Sequence, residues 1–260
     1  MAEPPIGRSS PLLDVEIATA GYGTATVLDS VSFSAGVESL GIVGRNGMGK
    51  STLCKVICGL HRNASGSVRL QGKEILGRRP AQIGRSGIGY VPQGRRIFAS
   101  LTVTEHFQML GPHRSKDWPI DRVFDLFPRL GDRRSHLGRH LSGGEQQMLA
   151  IARAVVRGPR LLIMDEPSEG LAPVVVDTLV DACLSLAADG HMGILVVEQN
   201  LHAALRLTGR ILVMVRGAIV EDMPTEEFRN RTDLQELHLG VSRSDVLERP
   251  RQDSNLRPWT

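Results

Sequence analysis

The chain has 260 residues, of which 41% are hydrophobic and 23% are charged, and this composition excludes a disordered or fibrous protein. The formal net charge is only +3, from 31 basic and 28 acidic residues, so charge gives little support to nucleic-acid binding. The sequence contains no apolar run long enough to span a membrane and no apolar secretion signal at its start. We therefore expect a soluble, cytoplasmic protein.

The first part of the chain predicts strands around one helix. After a polar leader over residues 1–11, two segments with alternating apolar residues predict half-buried strands, and "SLGIVG" predicts a short buried one. The period then changes, because "KSTLCKVICGL" has the spacing of a helix that ends at Gly59. "GSVRLQGKEIL" returns to the pattern of a strand.

The middle of the chain predicts a separate helical lobe, over about residues 93–158, from helical apolar periodicity interrupted by turn residues. Beyond it, "RLLIMDEP" and "GILVVEQN" predict two buried parallel strands on either side of a helix that follows Pro173. "RILVMVRGAIVED" predicts a hairpin that turns at Arg216 and Gly217. The polar residues 241–260 predict a disordered tail.

A phosphate-binding loop is predicted by "GRNGMGKS", which lies between a buried strand and a helix. In such a loop the glycines let backbone N–H groups surround phosphates, the lysine reaches the outer phosphates and the serine supplies a hydroxyl for Mg²⁺. A glycine-rich turn with a surface lysine is the alternative, which this setting disfavours. The residues predicted to bind the nucleotide are Gly44, Asn46, Gly47, Gly49, Lys50, Ser51 and Thr52.

Two adjacent carboxylates follow the buried run "LLIM". Asp165, at the end of a strand beside the phosphate loop, is predicted to hold Mg²⁺ through water. Glu166 is predicted to be the general base that takes a proton from the attacking water. Alternatively, the two residues are ordinary acidic residues at the start of the next helix.

A second anion site is predicted at "LSGGEQQMLAIARAVV", where a helix begins with two glycines but without a lysine. The first turn of such a helix offers free N–H groups and the positive end of the helix dipole. The apolar residues at helical spacing in the same segment, Met148, Ile151, Ala152 and Val155, are predicted to pack into the lobe.

Four motifs, "GRNGMGKST", "VPQG", "LSGGEQQ" and "LLIMDEP", occur in this order, and residues 12–240 resemble the ATPase subunit of an ATP-binding cassette (ABC) transporter. The resemblance implies an α/β fold: a P-loop NTPase core with a mixed sheet, an N-terminal antiparallel β subdomain and the inserted helical lobe. It also implies a head-to-tail dimer, in which the "LSGGEQQ" motif of one subunit, called the signature, caps the ATP that is bound to the phosphate loop of the other. The signature needs no lysine because the lysine of that phosphate loop already contacts the same phosphates. The signature residues that would contact the partner's ATP are Leu141, Ser142, Gly143, Gly144 and Glu145.

The same resemblance implies roles for two further residues. Gln93 corresponds to the residue that links Mg²⁺ and the attacking water to the lobe, and the surface over residues 94–107 corresponds to the part that receives the membrane subunit. Tyr22 corresponds to the aromatic residue that stacks on adenine.

Two residues differ from the usual family pattern, and they restrict the resemblance to one branch of the family. Gln199 stands where a histidine usually contacts the terminal phosphate, so it can donate a hydrogen bond there but cannot carry a proton near neutral pH. Ala172 stands where an aspartate is common. Together with "GRRIF" and "DEPSEGLAP", these departures resemble the ATPase subunits of branched-chain amino acid importers. Importers of urea and short-chain amides belong to the same branch, and "VPQG" with "SEG" slightly favours them, so the sequence leaves both cargo classes open.

This branch implies a second, non-identical ATPase subunit, two membrane permease subunits and an extracytoplasmic binding protein, with the chain at the cytoplasmic face of the membrane. One alternative is a soluble ABC ATPase that acts on nucleic acid or ribosomes, although the sequence shows no coiled-coil insertion or second cassette. Another is a nucleotide-binding regulator without turnover, which rests on Gln199 alone. We expect an ATP- and Mg²⁺-dependent ATPase that does not bind nucleic acid.

Overall fold

A computed structural model describes residues 11–111 and 115–240. Most of the predicted polar leader and the whole predicted tail, residues 241–260, lie outside the described residues. The described part folds around two β-sheets, one of four strands and one of six.

The four-stranded sheet is antiparallel, with its strands in the order β2-β1-β4-β5. Leu13, Val15 and Ile17 are buried and alternate along β1 with partly or fully exposed residues, so one face of the sheet covers the core. The strands of this sheet are β1 (Leu13–Tyr22), β2 (Ala25–Ala35), β4 (Ala64–Leu70) and β5 (Lys73–Glu74).

The six-stranded sheet has the order β10-β9-β3-β8-β7-β6 and is parallel apart from β10, which pairs with β9 as a hairpin. The adjacent inner strands β7 and β8 are buried along their whole length, as expected for a sheet covered on both faces. Its strands are β3 (Ser39–Val43), β6 (Ile88–Val91), β7 (Leu161–Asp165), β8 (Gly193–Glu198), β9 (Arg210–Val215) and β10 (Ala218–Pro224). The mixed sheet and the antiparallel sheet confirm the predicted α/β fold class.

Helices cover the six-stranded sheet and fill the connection between β6 and β7. They are α1 (Lys50–Ile57), α2 (Pro80–Arg85), α3 (Val103–Gln108), α4 (Ile120–Leu126), α5 (Pro128–Asp132), α6 (Gly143–Val155), α7 (Pro173–Ala188), α8 (Leu201–Leu207), α9 (Thr225–Asn230) and α10 (Thr232–Leu234). A π-helical segment, Gln235–Leu239, follows α10.

The helices α3 to α6 lie between β6 and β7 in the chain and share one apolar cluster with the buried side of α7. Helix α6 contributes Met148, Ile151, Ala152 and Val155 to this cluster, which confirms the apolar face predicted for it. Thr102 and Ser142 cap α3 and α6, each paired with a glutamate three residues later in a capping box. Such caps fix where a helix begins, and each contributes about 1 kcal/mol.

Two parts of the fold differ from the sequence prediction. The strand predicted through "GKEIL" is limited to β5, because Gln71 and Gly72 both have positive φ angles and form the turn before it. The short helices α2, α9 and α10 were not predicted from the sequence. None of the helices within residues 11–111 and 115–240 is long and apolar enough to cross a membrane.

Candidate nucleotide-binding site

The predicted phosphate loop joins β3 to α1 and is closely surrounded by backbone. A Cβ atom at Gly44 would lie 2.5 Å from the carbonyl oxygen of Met214, so a side chain there would collide with β9. Gly49, immediately before α1, has a φ of +102°, which residues with a side chain rarely adopt. These two glycines therefore let the loop turn directly from the buried strand into the helix.

Lys50 lies buried beneath this loop. Its Nζ atom donates hydrogen bonds to the carbonyl oxygens of Gly44 (2.7 Å) and Arg45 (3.2 Å), and it is 3.6 Å from Oε1 of Glu166. The ammonium group thus faces the interior of a cavity of about 350 Å³. The residues lining this cavity are Val27, Asn46, Gly47, Met48, Gly49, Lys50, Ser51, Thr52, Gln93, Glu166 and Glu169.

Asp165 ends β7 next to the phosphate loop and is buried. Its Oδ1 accepts a hydrogen bond from the Ser51 hydroxyl (2.8 Å), and its Oδ2 accepts one from the Tyr90 hydroxyl (3.2 Å). Burial raises the pKa of the Asp165 carboxyl, since desolvation disfavours the charged form. The hydroxyl and carboxylate oxygens of Ser51 and Asp165 are ligands that Mg²⁺ prefers, so this pair fits the predicted metal.

Glu166 leaves the strand with a φ of +50°, and its N–H group donates to the carbonyl oxygen of Val197 (2.8 Å). This conformation directs its carboxylate into the phosphate-loop cavity, where Oε2 accepts a hydrogen bond from Nε2 of Gln93 (2.9 Å). Burial raises the pKa of Glu166, and the charges of Asp165 and Glu169 raise it further, while Lys50 lowers it. A carboxyl with a raised pKa is a stronger base, as a proton acceptor requires.

Sequence reasoning missed three polar residues around these carboxylates. Glu169 accepts a second hydrogen bond from Nε2 of Gln93 (2.9 Å), and Tyr90 orients Asp165 as described above. Glu198, which is buried, accepts hydrogen bonds from the N–H groups of Ser168 (2.9 Å) and Asn200 (3.2 Å), so it ties the loop after Glu166 to the end of β8. A carboxylate at the end of the buried run "GILVV" was the available signal for Glu198.

The signature lies apart from this cavity. Exposed Ser142 accepts a hydrogen bond from the Glu145 N–H (3.3 Å), and the Glu145 carboxylate accepts one from the Ser142 N–H (2.8 Å) and pairs with Arg133 (3.0 Å). Ser142, Gly144 and Glu145 line a different, mainly apolar cavity of about 490 Å³ between α6 and the start of α7. Leu141 is buried, and Gly143 lies beside the guanidinium group of Arg95.

Gly44 and Asp165 do not line the phosphate-loop cavity, but they contact its lining residues Lys50 and Ser51. Tyr22 and Gln199 lie outside the lining as well. Tyr22 is half exposed at the end of β1, where its ring packs against His61. Gln199 is exposed beyond the end of β8, and the next residue, Asn200, caps α8 by accepting a hydrogen bond from the Ala203 N–H (3.2 Å). The structure therefore brings the phosphate loop, Gln93, Asp165 and Glu166 together, and leaves Tyr22, Gln199 and the signature separate from them.

Comparisons with known proteins show what the whole chain is similar to. A family model described as ABC transporter matches residues 28–169. The high-affinity branched-chain amino acid transport ATP-binding protein BraG of Pseudomonas aeruginosa is 42% identical over 203 residues, which cover 76% of this chain and 87% of that protein. The probable branched-chain amino acid transport ATP-binding protein LivF of Archaeoglobus fulgidus is 36% identical over 226 residues, with 85% and 96% covered.

Among solved structures, a nucleotide-free ATP-binding cassette from an ABC transporter is similar, with a TM-score of 0.75 and 28% identity. The match covers 85% of this chain and 94% of that one. The similarity therefore extends over the described core rather than over the phosphate loop alone.

Proposed function

The chain belongs to the ABC transporter family as an ATP-hydrolysing subunit, and from this we propose that it powers the uptake of branched-chain amino acids through membrane permease subunits. The observation that carries the ATPase part is the meeting of Lys50, Gln93 and Glu166 around one cavity. The cargo is inferred from the two relatives named for branched-chain amino acid transport.

In the proposed reaction Lys50 exchanges its contacts with Gly44, Arg45 and Glu166 for the outer phosphates of ATP. This exchange releases Oε1 of Glu166, while Oε2 stays oriented by Gln93. Glu166 can then accept a proton from a water molecule that attacks the terminal phosphate. Ser51 and Asp165 would hold Mg²⁺, which neutralises phosphate charge when it is bound.

The signature residues act, in this proposal, on the nucleotide of a second ATPase subunit. Exposed Ser142 and the first N–H groups of α6 form an anion site that is not directed into the chain's own phosphate-loop cavity. Glu145 holds this helix start in place through the capping box and Arg133. Tyr22 would stack on adenine and Gln199 would donate a hydrogen bond to the terminal phosphate.

We place the permease contact beside the phosphate site. A cavity of about 530 Å³ lies between the sheet edge and the lobe and is lined by Pro92, the residue before Gln93, and Phe98 is 47% exposed. An exposed aromatic ring beside a groove is typical of a protein-binding surface. The residues that line the groove are Lys55, Leu60, Tyr90, Pro92, Arg95, Arg96, Ala150 and Arg153.

The proposed assembly contains a second, non-identical ATPase subunit and two permease subunits, served by an extracytoplasmic binding protein, with this chain at the cytoplasmic face of the membrane. The names of two relatives of this chain, which are both described as branched-chain amino acid transport ATP-binding proteins, support the link to transport. In this proposal the permease subunits attach the chain to the membrane.

Uptake of labelled leucine, isoleucine, valine, urea and acetamide tests the proposal, in cells that lack this gene and carry either the wild type or Lys50→Ala. We expect the deletion to abolish uptake of the branched-chain amino acids and the wild type alone to restore it. Loss of urea or acetamide uptake instead would assign the chain to the other cargo class. Unchanged uptake of all five compounds would contradict an importer role, and salt-sensitive RNA binding would then favour a ribosomal one.

A further inference from the structure

The ring of Tyr22 has an aromatic neighbour from a different part of the chain. Tyr22 ends β1 at the tip of the β1–β2 hairpin, where 49% of it is exposed. The centroid of its ring is 4.4 Å from that of His61, and the two planes are tilted by 44°. A contact at this distance restrains one side of the tyrosine ring and leaves half of the residue accessible.

His61 is itself held firmly by the end of α1. Gly59, with a φ of +68°, closes the helix, and the N–H groups of Leu60 and His61 both donate to the carbonyl oxygen of Lys55, at 2.8 and 3.1 Å. The position of the histidine is therefore set by the same helix that begins with Lys50 at the phosphate loop.

The side chain of His61 also fixes the backbone next to Tyr22. Its Nε2 atom is 2.9 Å from the carbonyl oxygen of Gly21, and because a carbonyl only accepts, Nε2 carries the proton and donates it. Asn63 donates to the same oxygen through Nδ2 (3.0 Å), and the backbone carbonyl of Asn63 accepts a hydrogen bond from the Gly21 N–H (3.2 Å). Gly21 is thus bound on both sides immediately before the tyrosine.

The hairpin reaches the phosphate site through its other strand. Gly21 pairs with Thr26 in β2, and the next residue, Val27, lines the phosphate-loop cavity. A Cβ atom at Gly49 would lie 3.1 Å from the Val27 carbonyl oxygen, so hairpin and phosphate loop are in direct contact. In the proposed ATP site, the tip that carries Tyr22 would therefore meet the base of a nucleotide whose phosphates occupy that cavity.

We propose that His61 is a positioning residue for the nucleotide base, which holds the Tyr22 ring by direct contact and fixes the Gly21 backbone by a hydrogen bond. The inference rests on the proposed ATP site and adds a residue to it. The ligand that Tyr22 would contact is the purine ring of a nucleoside triphosphate, and His61 acts on this ligand through the tyrosine.

Calorimetric titration of the full chain with Mg-ATP and with Mg-tripolyphosphate, which lacks the base, tests the proposal. His61→Ala is expected to weaken ATP binding by about threefold to tenfold, the usual contribution of one aromatic contact, and to leave tripolyphosphate binding unchanged. His61→Phe keeps a ring without the donor, and His61→Gln keeps a donor without the ring, so each is expected to lose less affinity for ATP than His61→Ala does.

The effect should also disappear in a Tyr22→Ala background, because the histidine then has no ring to position. Equal losses for ATP and tripolyphosphate would overturn the proposal, since they would indicate a general effect on α1. Unchanged ATP affinity in His61→Ala, or the same loss with and without Tyr22, would overturn it too. A wild type that binds tripolyphosphate and ATP equally well would also overturn it, because the base would then contribute nothing. A wild type that binds neither would instead count against the ATP site.

Discussion

Replacing Glu166 by glutamine is expected to slow ATP hydrolysis by about 10² or more while ATP binding persists, because an amide cannot accept the proton of the attacking water. The substitution keeps the shape of the side chain and one oxygen for the contact with Gln93. It also removes the negative charge that lies 3.6 Å from the ammonium group of Lys50, so the phosphates of ATP no longer compete with a carboxylate for this ammonium group. Phosphate release by the assembled transporter and calorimetric ATP binding by the chain measure the two effects.

Glu169→Gln is the matched control for this substitution. Glu169 lines the same cavity and accepts from the same Gln93 nitrogen at 2.9 Å, but it is exposed and has no contact with Lys50 among the described interactions. We expect it to retain most of the turnover. Near-normal hydrolysis in Glu166→Gln would show that Glu166 is not the base. An equal loss in Glu169→Gln would contradict the assignment of this role to Glu166 alone.

The pKa of Glu166 adds a second readout. Because burial raises this pKa, hydrolysis should decline on acidification at a higher pH than it would for an exposed glutamate, whose pKa is about 4.3. The active form is the carboxylate, so activity is present above the raised pKa and is lost as the pH falls through it.

Lys50→Ala is expected to weaken ATP binding by about 10² or more, because it removes a buried cation that makes charge-assisted hydrogen bonds to phosphate. The lysine is only 4% exposed, and the loop carbonyls of Gly44 and Arg45 orient it towards the cavity. Shortening the side chain leaves those carbonyls and Glu166 facing the phosphates without a compensating charge. Calorimetric titration with Mg-ATP measures the loss.

Lys55→Ala, one and a half turns further along α1, is the control for Lys50→Ala. It removes the same side chain from the same helix, and its backbone carbonyl, which closes the helix, is kept. We expect wild-type affinity for Mg-ATP in this variant. If Lys50→Ala bound ATP as well as Lys55→Ala does, the loop would not be the phosphate site.

The positions that could be predicted from the sequence are those that follow from local spacing. The phosphate loop requires only that a strand, a glycine-rich turn and a helix follow one another, and all three are in the chain order of residues 39–57. Asp165 was equally predictable, since parallel strands bring their carboxyl ends to one edge. The start of a helix at the two glycines of the signature was also predicted, and the structure adds that Ser142 and Glu145 cap it.

Contacts between segments that are distant in the chain could not be predicted from the sequence. Gln93 and Glu166 are 73 residues apart, and their hydrogen bond depends on how the lobe returns to the sheet. The contact of Tyr22 with His61 depends on the register of β1 against β4, which a one-residue shift would change. The short helices α9 and α10 have too few turns to show a clear period.

In this account the chain contributes its phosphate loop to one ATP site and its signature to another. Ser142→Arg tests this most directly, with ATP affinity measured on the isolated chain and hydrolysis on the assembled transporter. The arginine removes the cap of α6, at a cost of about 1 kcal/mol, and fills the exposed helix start. We expect the isolated chain to bind ATP with wild-type affinity, because the signature does not line its own phosphate cavity, and the transporter to lose at least about tenfold in hydrolysis. Loss of ATP affinity in the isolated, folded chain, or unchanged hydrolysis after assembly, would contradict a signature that serves the nucleotide of the partner subunit.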